Sequence, residues 1–276
     1  MSGRETDGAS AGFNFYGPQY ARFGAPRAIE MRREVYGEDF GQQGWRSLAE
    51  QGEIAGLIPR GAAVRVLDVA CGSGGPALDL VRRTGCRLTG LDIEADAIAF
   101  ASAQAHSRGL ADRTSFSVCD CSPPLPLEDG GFHAVLCIDA ISHLKDLLRT
   151  LADWRRLLAP SGVAVFTDSF VLTGPISKSE LDIRASTGFH LLVPPGANER
   201  FIEEAGLTLS RCEDRTASVA DIASRWHAAR ARGAAALMDE EGADWFEQRQ
   251  GFLRVTAELA ASRRLSRFLY VAERRS

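Results

Sequence analysis

The segment VRVLDVACGSGG, residues 64–75, constrains the fold of this chain more than any other feature. A β-branched apolar run, typical of a buried strand, leads directly through Asp68 into a glycine-rich loop. Because glycine has no Cβ, such a loop lets a ligand approach the backbone closely. Pro76 suits the first turn of a helix, whose N-terminal amides then face the same crevice. The segment therefore predicts a strand, a ligand-binding loop and a helix in succession.

Strands and helices alternate regularly after this segment. Strands are predicted at residues 64–69, 87–92, 114–119, 133–138, 163–168, 207–212 and 265–272, and helices at 47–57, 76–83, 95–108, 147–158, 198–205, 218–232 and 240–261. Such alternation is typical of a parallel sheet that is covered by helices on both faces. The sequence therefore predicts an α/β fold with a doubly wound, mostly parallel, seven-stranded sheet.

Three regions of the chain differ in composition. Residues 1–12 are polar and predict a disordered tail, whereas residues 13–60 carry many aromatic side chains and are predicted to form the helices of an N-terminal lid. Residues 61–276 are predicted to form the main domain, with cap segments near 170–200 and 218–262. The first cap segment is predicted to be a long loop with one short helix, and long ordered loops are usually functional.

Charge and hydropathy argue against several classes of protein. The net charge of −4 gives no overall attraction for nucleic acid, so a small-molecule substrate is expected. No apolar run approaches the roughly 20 residues that span a bilayer, and the polar N-terminus lacks the apolar core of a signal peptide. We therefore expect a cytoplasmic protein without a membrane span, and a homo-oligomer stays open. The six cysteines form no C-x-x-C pair, which favours free thiols and predicts no metal site.

Two acidic residues flank the predicted ligand loop. Asp68 precedes it, and Asp92 ends the second strand, where a carboxylate can bind both hydroxyls of a ribose. No glycine follows three residues after Gly74, so the loop departs from the G-x-G-x-x-G pattern that admits a pyrophosphate. A carboxylate at Asp68 would repel a pyrophosphate and attract the ammonium group of an amino acid. The pattern favours an adenosyl amino acid over a dinucleotide.

VLDVACGSGG followed by GLDI resembles the nucleotide-binding half of class I S-adenosylmethionine-dependent methyltransferases, and the resemblance covers residues 45–170. YGEDFGQQGW, residues 36–45, resembles the segment that precedes this domain in sterol, tocopherol and natural-product methyltransferases. The resemblance implies a Rossmann-like fold with S-adenosylmethionine as cofactor, an acidic residue near the adenine and a strand end beside the methionine. The implied cofactor-binding residues are Gln43, Asp68, Ala70, Cys71, Gly72, Gly74, Asp92, Ile93, Asp120, Cys121 and Asp139.

Methyl transfer from a sulfonium is an in-line displacement, which depends on positioning and needs a base only where the acceptor loses a proton. By the same resemblance, His143 stands where many small-molecule methyltransferases carry a histidine near the transferred methyl. Glu180 and His190 lie in the long loop of the first cap segment. The predicted catalytic residues are His143 and Glu180, and the predicted substrate-binding residues are Tyr16, Tyr20, Tyr36 and His190.

The sequence thus predicts methyl transfer to a small, largely apolar or aromatic metabolite, by O-, N- or C-methylation in secondary metabolism. Two alternatives stay open, namely methylation of a macromolecule and a non-catalytic nucleotide-binding module. Residues 139–142 read Asp-Ala-Ile-Ser, which departs from the N-P-P-Y or N-P-P-F motif of many nucleic-acid base methyltransferases. The intact glycine loop and acidic residues speak against the module. The acceptor and the methylated atom are not identified by the sequence.

Overall fold

Seven strands form a single sheet in the computed structural model, which describes residues 16–275. The predicted tail at residues 1–12 lies outside the described residues, as do residues 13–15 of the predicted lid. The strands are β1 (Arg65–Val69), β2 (Arg87–Asp92), β3 (Thr114–Val118), β4 (Phe132–Cys137), β5 (Leu158–Leu172), β6 (Thr208–Asp214) and β7 (Leu265–Glu273). Each lies close to a predicted strand, and β5 extends further than predicted at both ends.

The sheet has the order β3-β2-β1-β4-β5-β7-β6. Strands β1 to β5 pair in parallel, whereas β7 runs antiparallel to both β5 and β6. The predicted doubly wound, mostly parallel sheet is therefore confirmed. Strand order reverses between β1 and β4, and folds of this kind bind ligands outside the carboxyl ends of the strands at such a point.

Helices cover both faces of the sheet and one of its ends. Helices α1 (Tyr16–Ala21), α2 (Pro26–Tyr36) and α3 (Leu48–Leu57) precede β1; α4 (Gly75–Thr84), α5 (Ala95–Ser107), α6 (Leu147–Leu157), α7 (Lys178–Arg184), α8 (Ala197–Glu204), α9 (Thr216–Arg232), α10 (Ala234–Glu241) and α11 (Ala243–Ala261) follow. The helix predicted at 240–261 is divided, because Gly242 has a φ of 88° and a ψ of 145°, which cannot continue a helix. Within residues 16–275, none of the helices combines the length and apolar character of a membrane-spanning segment.

The core consists of two main clusters of buried side chains, because alternate residues of a strand point to opposite faces of the sheet. Leu67 of β1 lies in one cluster with Trp154 of α6, and Val66 lies in the other with Leu78 of α4. A third cluster joins α2, α9 and α11 and contains Val35, Tyr36, Trp45, Val219, Ile222, Phe252 and Leu253. The second cap segment is therefore packed directly against the N-terminal helices.

A buried ion-pair network ties α3 to the middle of the sheet. Arg267 of β7 is fully buried and donates two hydrogen bonds to the Glu50 carboxylate, at 2.9 and 2.8 Å. Its Nε donates to Asp139 Oδ1 at 2.6 Å, just past the end of β4. Because the two carboxylates share one guanidinium, the network fixes the N-terminal segment relative to β4 and β7.

Candidate active site

A cavity of about 440 Å³ lies at the carboxyl ends of β1, β2 and β4, where the strand order predicts a ligand site. Helix α1, residues 41–46 and the cap segments enclose it. Fifteen of the predicted site residues line it: Tyr16, Tyr20, Tyr36, Gln43, Asp68, Ala70, Cys71, Gly72, Asp92, Ile93, Asp120, Cys121, Asp139, His143 and His190. Gly74 and Glu180 do not.

The glycine loop after β1 passes close to α1. Gly72 has a φ of 56°, and a Cβ there would lie 2.7 Å from Tyr20 Oη. Gly74 also has a left-handed φ, of 71°, and caps the N-terminus of α4. A Cβ at Gly74 would lie 2.6 Å from the Cβ of Ala101, so this glycine faces α5 and not the cavity. Gly74 therefore shapes the loop, and its contact with the cofactor stays a prediction.

Asp92 lies at the end of β2 and faces the glycine loop. Its Oδ2 accepts a hydrogen bond from Gly72 N at 2.7 Å, and its Oδ1 accepts one from Glu94 N at 3.0 Å. Burial raises the pKa of the carboxyl, and the backbone hydrogen bonds oppose that rise. A carboxylate offers about four acceptor positions. A cavity-facing carboxylate held in this way suits a pair of ribose hydroxyls.

Asp68 and Arg46 lie on one wall of the cavity without forming an ion pair within 4 Å. Burial raises the pKa of Asp68 to about 7, and the positive charge of Arg46 opposes the rise. Within residues 16–275, Arg46 Nε and Gln43 Nε2 are buried and have no hydrogen-bond partner. A buried carboxylate beside unpartnered donors matches the ammonium and carboxylate groups of a free amino acid. These residues fit the methionine part of an adenosylmethionine.

Asp120 and Ile93 lie at the open rim of the same wall. Asp120 accepts hydrogen bonds from Ser122 N at 2.9 Å and Ser122 Oγ at 2.8 Å, which lower its pKa. Ile93 is 65% exposed, an unusual state for a large apolar side chain, and it offers an apolar face for a planar ring. Cys121 is buried beneath the rim, and burial raises the pKa of its thiol to about 12. The rim suits an adenine.

Comparison with known proteins agrees with this geometry. Residues 66–162 match a family model described as a methyltransferase domain, and this match spans β1, the glycine loop and Asp92. Residues 66–162 are therefore a methyltransferase domain, and the chain is similar to class I S-adenosylmethionine-dependent methyltransferases.

Individual relatives differ in what they act on. The chain is 33% identical over 141 residues to the sterol 24-C-methyltransferase ERG6B of Gibberella zeae (51% of this chain, 36% of the relative). It is 26% identical over 164 residues to the 27-O-demethylrifamycin SV methyltransferase of Amycolatopsis mediterranei (58% and 60%). It therefore spans less than two thirds of the curated relatives that it matches.

A solved structure matches nearly the whole chain. Phosphoethanolamine N-methyltransferase 2 of Haemonchus contortus, in complex with S-adenosyl-L-methionine, has a TM-score of 0.78 at 19% identity. The match covers 96% of this chain and 61% of that one. At this identity the likeness concerns the fold, and the cofactor of the family is S-adenosylmethionine.

Asp139 connects several parts of the cavity wall through hydrogen bonds. Its Oδ2 accepts a hydrogen bond from Trp45 N at 2.7 Å, and its Oδ1 accepts from Arg267 Nε and, at 3.0 Å, from Thr167 Oγ1. The charge of Arg267 lowers its pKa against the opposing effect of burial. Through these hydrogen bonds Asp139 positions the segment that carries Gly44 and Trp45. Direct binding of the cofactor by Asp139 stays a prediction.

His143 and Tyr16 form a hydrogen-bonded pair in the cavity. The Phe189 carbonyl lies 2.8 Å from His143 Nδ1, and a carbonyl can only accept, so Nδ1 carries the proton. Nε2 is then the acceptor, and Tyr16 Oη donates to it at 3.2 Å. Burial lowers the pKa of His143, which keeps the ring neutral near pH 7. A neutral imidazole whose Nε2 accepts a hydrogen bond can also accept a proton there, so His143 is suited to act as a general base when the methyl acceptor replaces the Tyr16 hydroxyl at Nε2.

His190 forms part of the cavity wall. Its Nδ1 lies 3.1 Å from Ser142 Oγ and its Nε2 lies 2.7 Å from Thr187 Oγ1. Burial lowers its pKa to about 2, and its ring stacks on Phe170 with centroids 3.9 Å apart. Both ring nitrogens are therefore engaged, and His190 presents a neutral ring to the cavity.

The predicted tyrosines occupy different parts of the wall. Tyr36 Oη donates to the Gly44 carbonyl at 2.8 Å and accepts from Trp226 Nε1 at 3.2 Å. Burial raises the pKa of Tyr36 to about 12, so it stays protonated. Tyr20 is buried over Gly72, on the cofactor side. Of the three, Tyr16 is the one beside His143.

Glu180, the other predicted catalytic residue, lies outside the cavity. It is the third residue of α7, and it forms a capping box with Ser177, whose Oγ donates to Glu180 Oε2 at 2.7 Å. Arg264 forms an ion pair with the same carboxylate at 2.8 Å. These partners lower its pKa to about 2, and the side chain does not line the cavity. Glu180 therefore stabilises a helix end and is not available as a base.

The affinity for S-adenosylhomocysteine should fall as the pH drops below about 7. The raised pKa of Asp68 means that its carboxyl is protonated below this pH, and only the ionised form pairs with the ammonium group of the ligand. If only the ionised form binds, Kd rises by about tenfold for each pH unit below the pKa. Calorimetry between about pH 5 and 8 measures the slope. Asp68→Asn should bind weakly without this slope, and a flat wild-type profile contradicts the role.

Proposed function

We propose that this protein transfers a methyl group from S-adenosylmethionine to a small, largely apolar or aromatic metabolite, by O-, N- or C-methylation in secondary metabolism. One observation carries the proposal: a single cavity joins the Asp68 and Asp92 wall to the His143–Tyr16 pair. Apolar side chains line much of the remaining surface, among them Trp45, Leu144, Phe170, Phe189, Trp226, Phe252 and Leu253. Small ligands generally bind in pockets of this kind.

Some residues of the chain would bind the cofactor, and others would transfer a proton. Bound S-adenosylmethionine supplies an activated methyl group on a sulfonium. Asp92 would hold the ribose, and Asp68, Arg46 and Gln43 would hold the amino-acid part. The aromatic wall excludes water and aligns the acceptor. Where the acceptor is a hydroxyl or amine, His143 Nε2 takes its proton, and the Phe189 carbonyl stabilises the resulting imidazolium through Nδ1–H.

Replacing His143 with alanine should lower turnover by about 10²- to 10⁴-fold, the usual contribution of a general base. The affinity for S-adenosylhomocysteine should be unchanged, because His143 lies on the substrate side. Wild-type turnover should be constant near pH 7 and fall only as the pH drops through the lowered pKa of His143, since the base must be neutral. Steady-state rates across pH measure both effects.

Two further variants sharpen this test. Tyr16→Phe keeps the ring beside His143 and removes the hydroxyl, so it separates the contribution of the pair from that of the imidazole alone. His106→Ala removes an exposed histidine of α5 and should change nothing. Full turnover in His143→Ala would mean that the enzyme acts by positioning alone.

Labelled methyl transfer separates the candidate functions. The protein is incubated with methyl-labelled S-adenosylmethionine and a metabolite extract, and in parallel with extracted RNA, DNA and protein. Label in a low-mass product supports the proposal, whereas label only in a macromolecule supports the first alternative. Binding of the cofactor with no transfer to any fraction indicates a non-catalytic module. Calorimetry that finds NAD bound and S-adenosylhomocysteine not bound contradicts the cofactor assignment itself.

We further propose that α1 and α2 act as the lid over the cavity, with the cap segments completing the substrate side. Tyr16 and Tyr20 of α1 support this role, since both line the cavity. It stays a prediction from the sequence that the protein has no nucleic-acid partner and is cytoplasmic. Whether it forms a homo-oligomer stays open.

A further inference from the structure

Arg184, the last residue of α7, is a buried cation in the wall of the cavity. It is 3% exposed, and its Nη2 donates to Ser169 Oγ at 3.2 Å. Within residues 16–275, no carboxylate lies at ion-pair distance from it. A guanidinium has five N–H donors, and burying a charge without a counter-ion is costly. The position therefore calls for a partner that the described side chains do not supply.

Aromatic rings account for the position of Arg184 but leave its hydrogen-bonding capacity unused. Its guanidinium carbon lies 4.0 Å from the ring centroid of Phe170, 5.3 Å from that of Phe252 and 5.9 Å from that of Trp45. Stacking of this kind holds the cation through the faces of the rings and leaves the in-plane N–H groups available. Burial lowers the pKa of Arg184 to about 10, so it remains charged at neutral pH.

The carboxylates nearest to Arg184 already accept hydrogen bonds from other groups. Asp139 shares its charge with Arg267, and Asp168 accepts hydrogen bonds from Asn198 Nδ2 at 2.8 Å and Phe170 N at 2.8 Å. His143 is neutral near pH 7 and adds no charge. The bound cofactor adds a positive sulfonium to the same cavity. An anion in the acceptor site would offset both positive charges.

We propose that the methyl acceptor is an organic anion whose carboxylate pairs with Arg184. This inference rests on the proposed function and narrows its substrate class. A carboxylate matches the planar fork of a guanidinium and accepts two parallel hydrogen bonds. Arg184, His143 and Tyr16 line the same cavity, so an acceptor anchored at Arg184 lies within reach of that pair. Its apolar body packs against other apolar side chains of the cavity, such as Leu144 and Phe189.

Matched acids and amides test this pairing. The protein is saturated with S-adenosylhomocysteine, and calorimetry measures the binding of cinnamate against cinnamamide, naphthoate against naphthamide, and octanoate against octanamide. Each pair has nearly the same shape and differs in charge. Charge-assisted hydrogen bonds predict that the acid binds about 10- to 100-fold more tightly than its amide in at least one pair. If no acid binds more tightly than its amide, the inference is wrong.

Variants assign the preference to one residue. Arg184→Met should abolish the difference between acid and amide, and Arg184→Lys should keep part of it, because lysine retains the charge without the fork. Arg254→Met removes an exposed arginine of α11 that pairs with Glu258, and it should leave the preference unchanged. A preference that persists in Arg184→Met overturns the inference. If Arg184→Met does not fold, the wild-type comparison and Arg184→Lys still decide.

The binding of S-adenosylhomocysteine itself distinguishes a failure of the proposed function from a failure of the carboxylate inference. If it binds and no acid is preferred, the proposed function stands and only the carboxylate is refuted. If it does not bind, the proposed function is wrong and this inference falls with it.

Discussion

Replacing Asp92 with alanine should weaken the binding of S-adenosylhomocysteine by about 10²- to 10⁴-fold. The carboxylate would accept hydrogen bonds from two ribose hydroxyls, and each bond to a charged group contributes about 1.5–3 kcal/mol. The loss is compounded because Gly72 N and Glu94 N also donate to Asp92, so the loop loses part of its support. Calorimetry on variants with a native circular dichroism spectrum measures the change.

The control for this variant is Asp96→Ala in the first turn of α5. It removes a nearby carboxylate that is exposed and does not line the cavity. Its affinity for the ligand should be that of the wild type. An unchanged Kd in folded Asp92→Ala would show that this carboxylate does not hold the ribose.

Replacing Arg267 with methionine should lower the free energy of unfolding by about 3–5 kcal/mol. Arg267 is fully buried and is the shared partner of Glu50 and Asp139, so its removal leaves two carboxylates buried without their counter-ion. Urea denaturation followed by circular dichroism measures the change. Because Asp139 also accepts from Trp45 N, weakening this network should loosen the segment at residues 41–46.

Arg254→Met serves as the matched control for that measurement. Its ion pair with Glu258 is exposed on α11, and exposed pairs contribute about 0–1 kcal/mol. The two variants remove the same group in different surroundings. If both destabilise the protein equally little, the buried network contributes much less than its geometry indicates.

The part of the cavity wall that contains Asp68 and Asp92 could be predicted from the sequence, because each residue lies next to a recognisable sequence pattern. Asp68 and Asp92 stand at the ends of recognisable strands, and parallel strands bring their carboxyl ends to the same edge of the sheet. The strand pattern alone therefore places these two carboxylates in one crevice. The strands themselves were predicted for the same reason, because each corresponds to a short apolar run that is continuous in the sequence.

The rest of the site depends on contacts between residues that are distant along the chain. Asp139 forms an ion pair with Arg267, which lies 128 residues away along the chain. No sequence pattern predicts that Arg267 compensates the charge of the Asp139 carboxylate. Arg184 lies at the end of a cap helix, where no sequence pattern marks it as a cavity residue, and Arg46 directly follows the segment whose Gln43 was predicted. These roles follow only from the folded arrangement.

Glu180 is different, because the sequence did carry a signal. Ser177-Lys178-Ser179-Glu180 has the S-x-x-E spacing of a capping box, in which the two side chains hydrogen-bond to the first turn of a helix. A glutamate in that spacing is already committed to the backbone. Its place in a long loop suggested a functional role that the spacing contradicts.

The closeness of residues 40 and 41 to the glycine loop limits how N-terminal segments can be exchanged among relatives. A Cβ at Gly75 would overlap the Phe40 carbonyl oxygen, and Ser73 Oγ donates to the Gly41 carbonyl at 2.8 Å. The two stretches therefore interlock through their backbones, which side-chain repacking cannot adjust. A chimaera that takes its N-terminal segment from another methyltransferase would have to take the glycine loop as well. Evolution faces the same restriction, so these two parts should be inherited together while the cap segments vary.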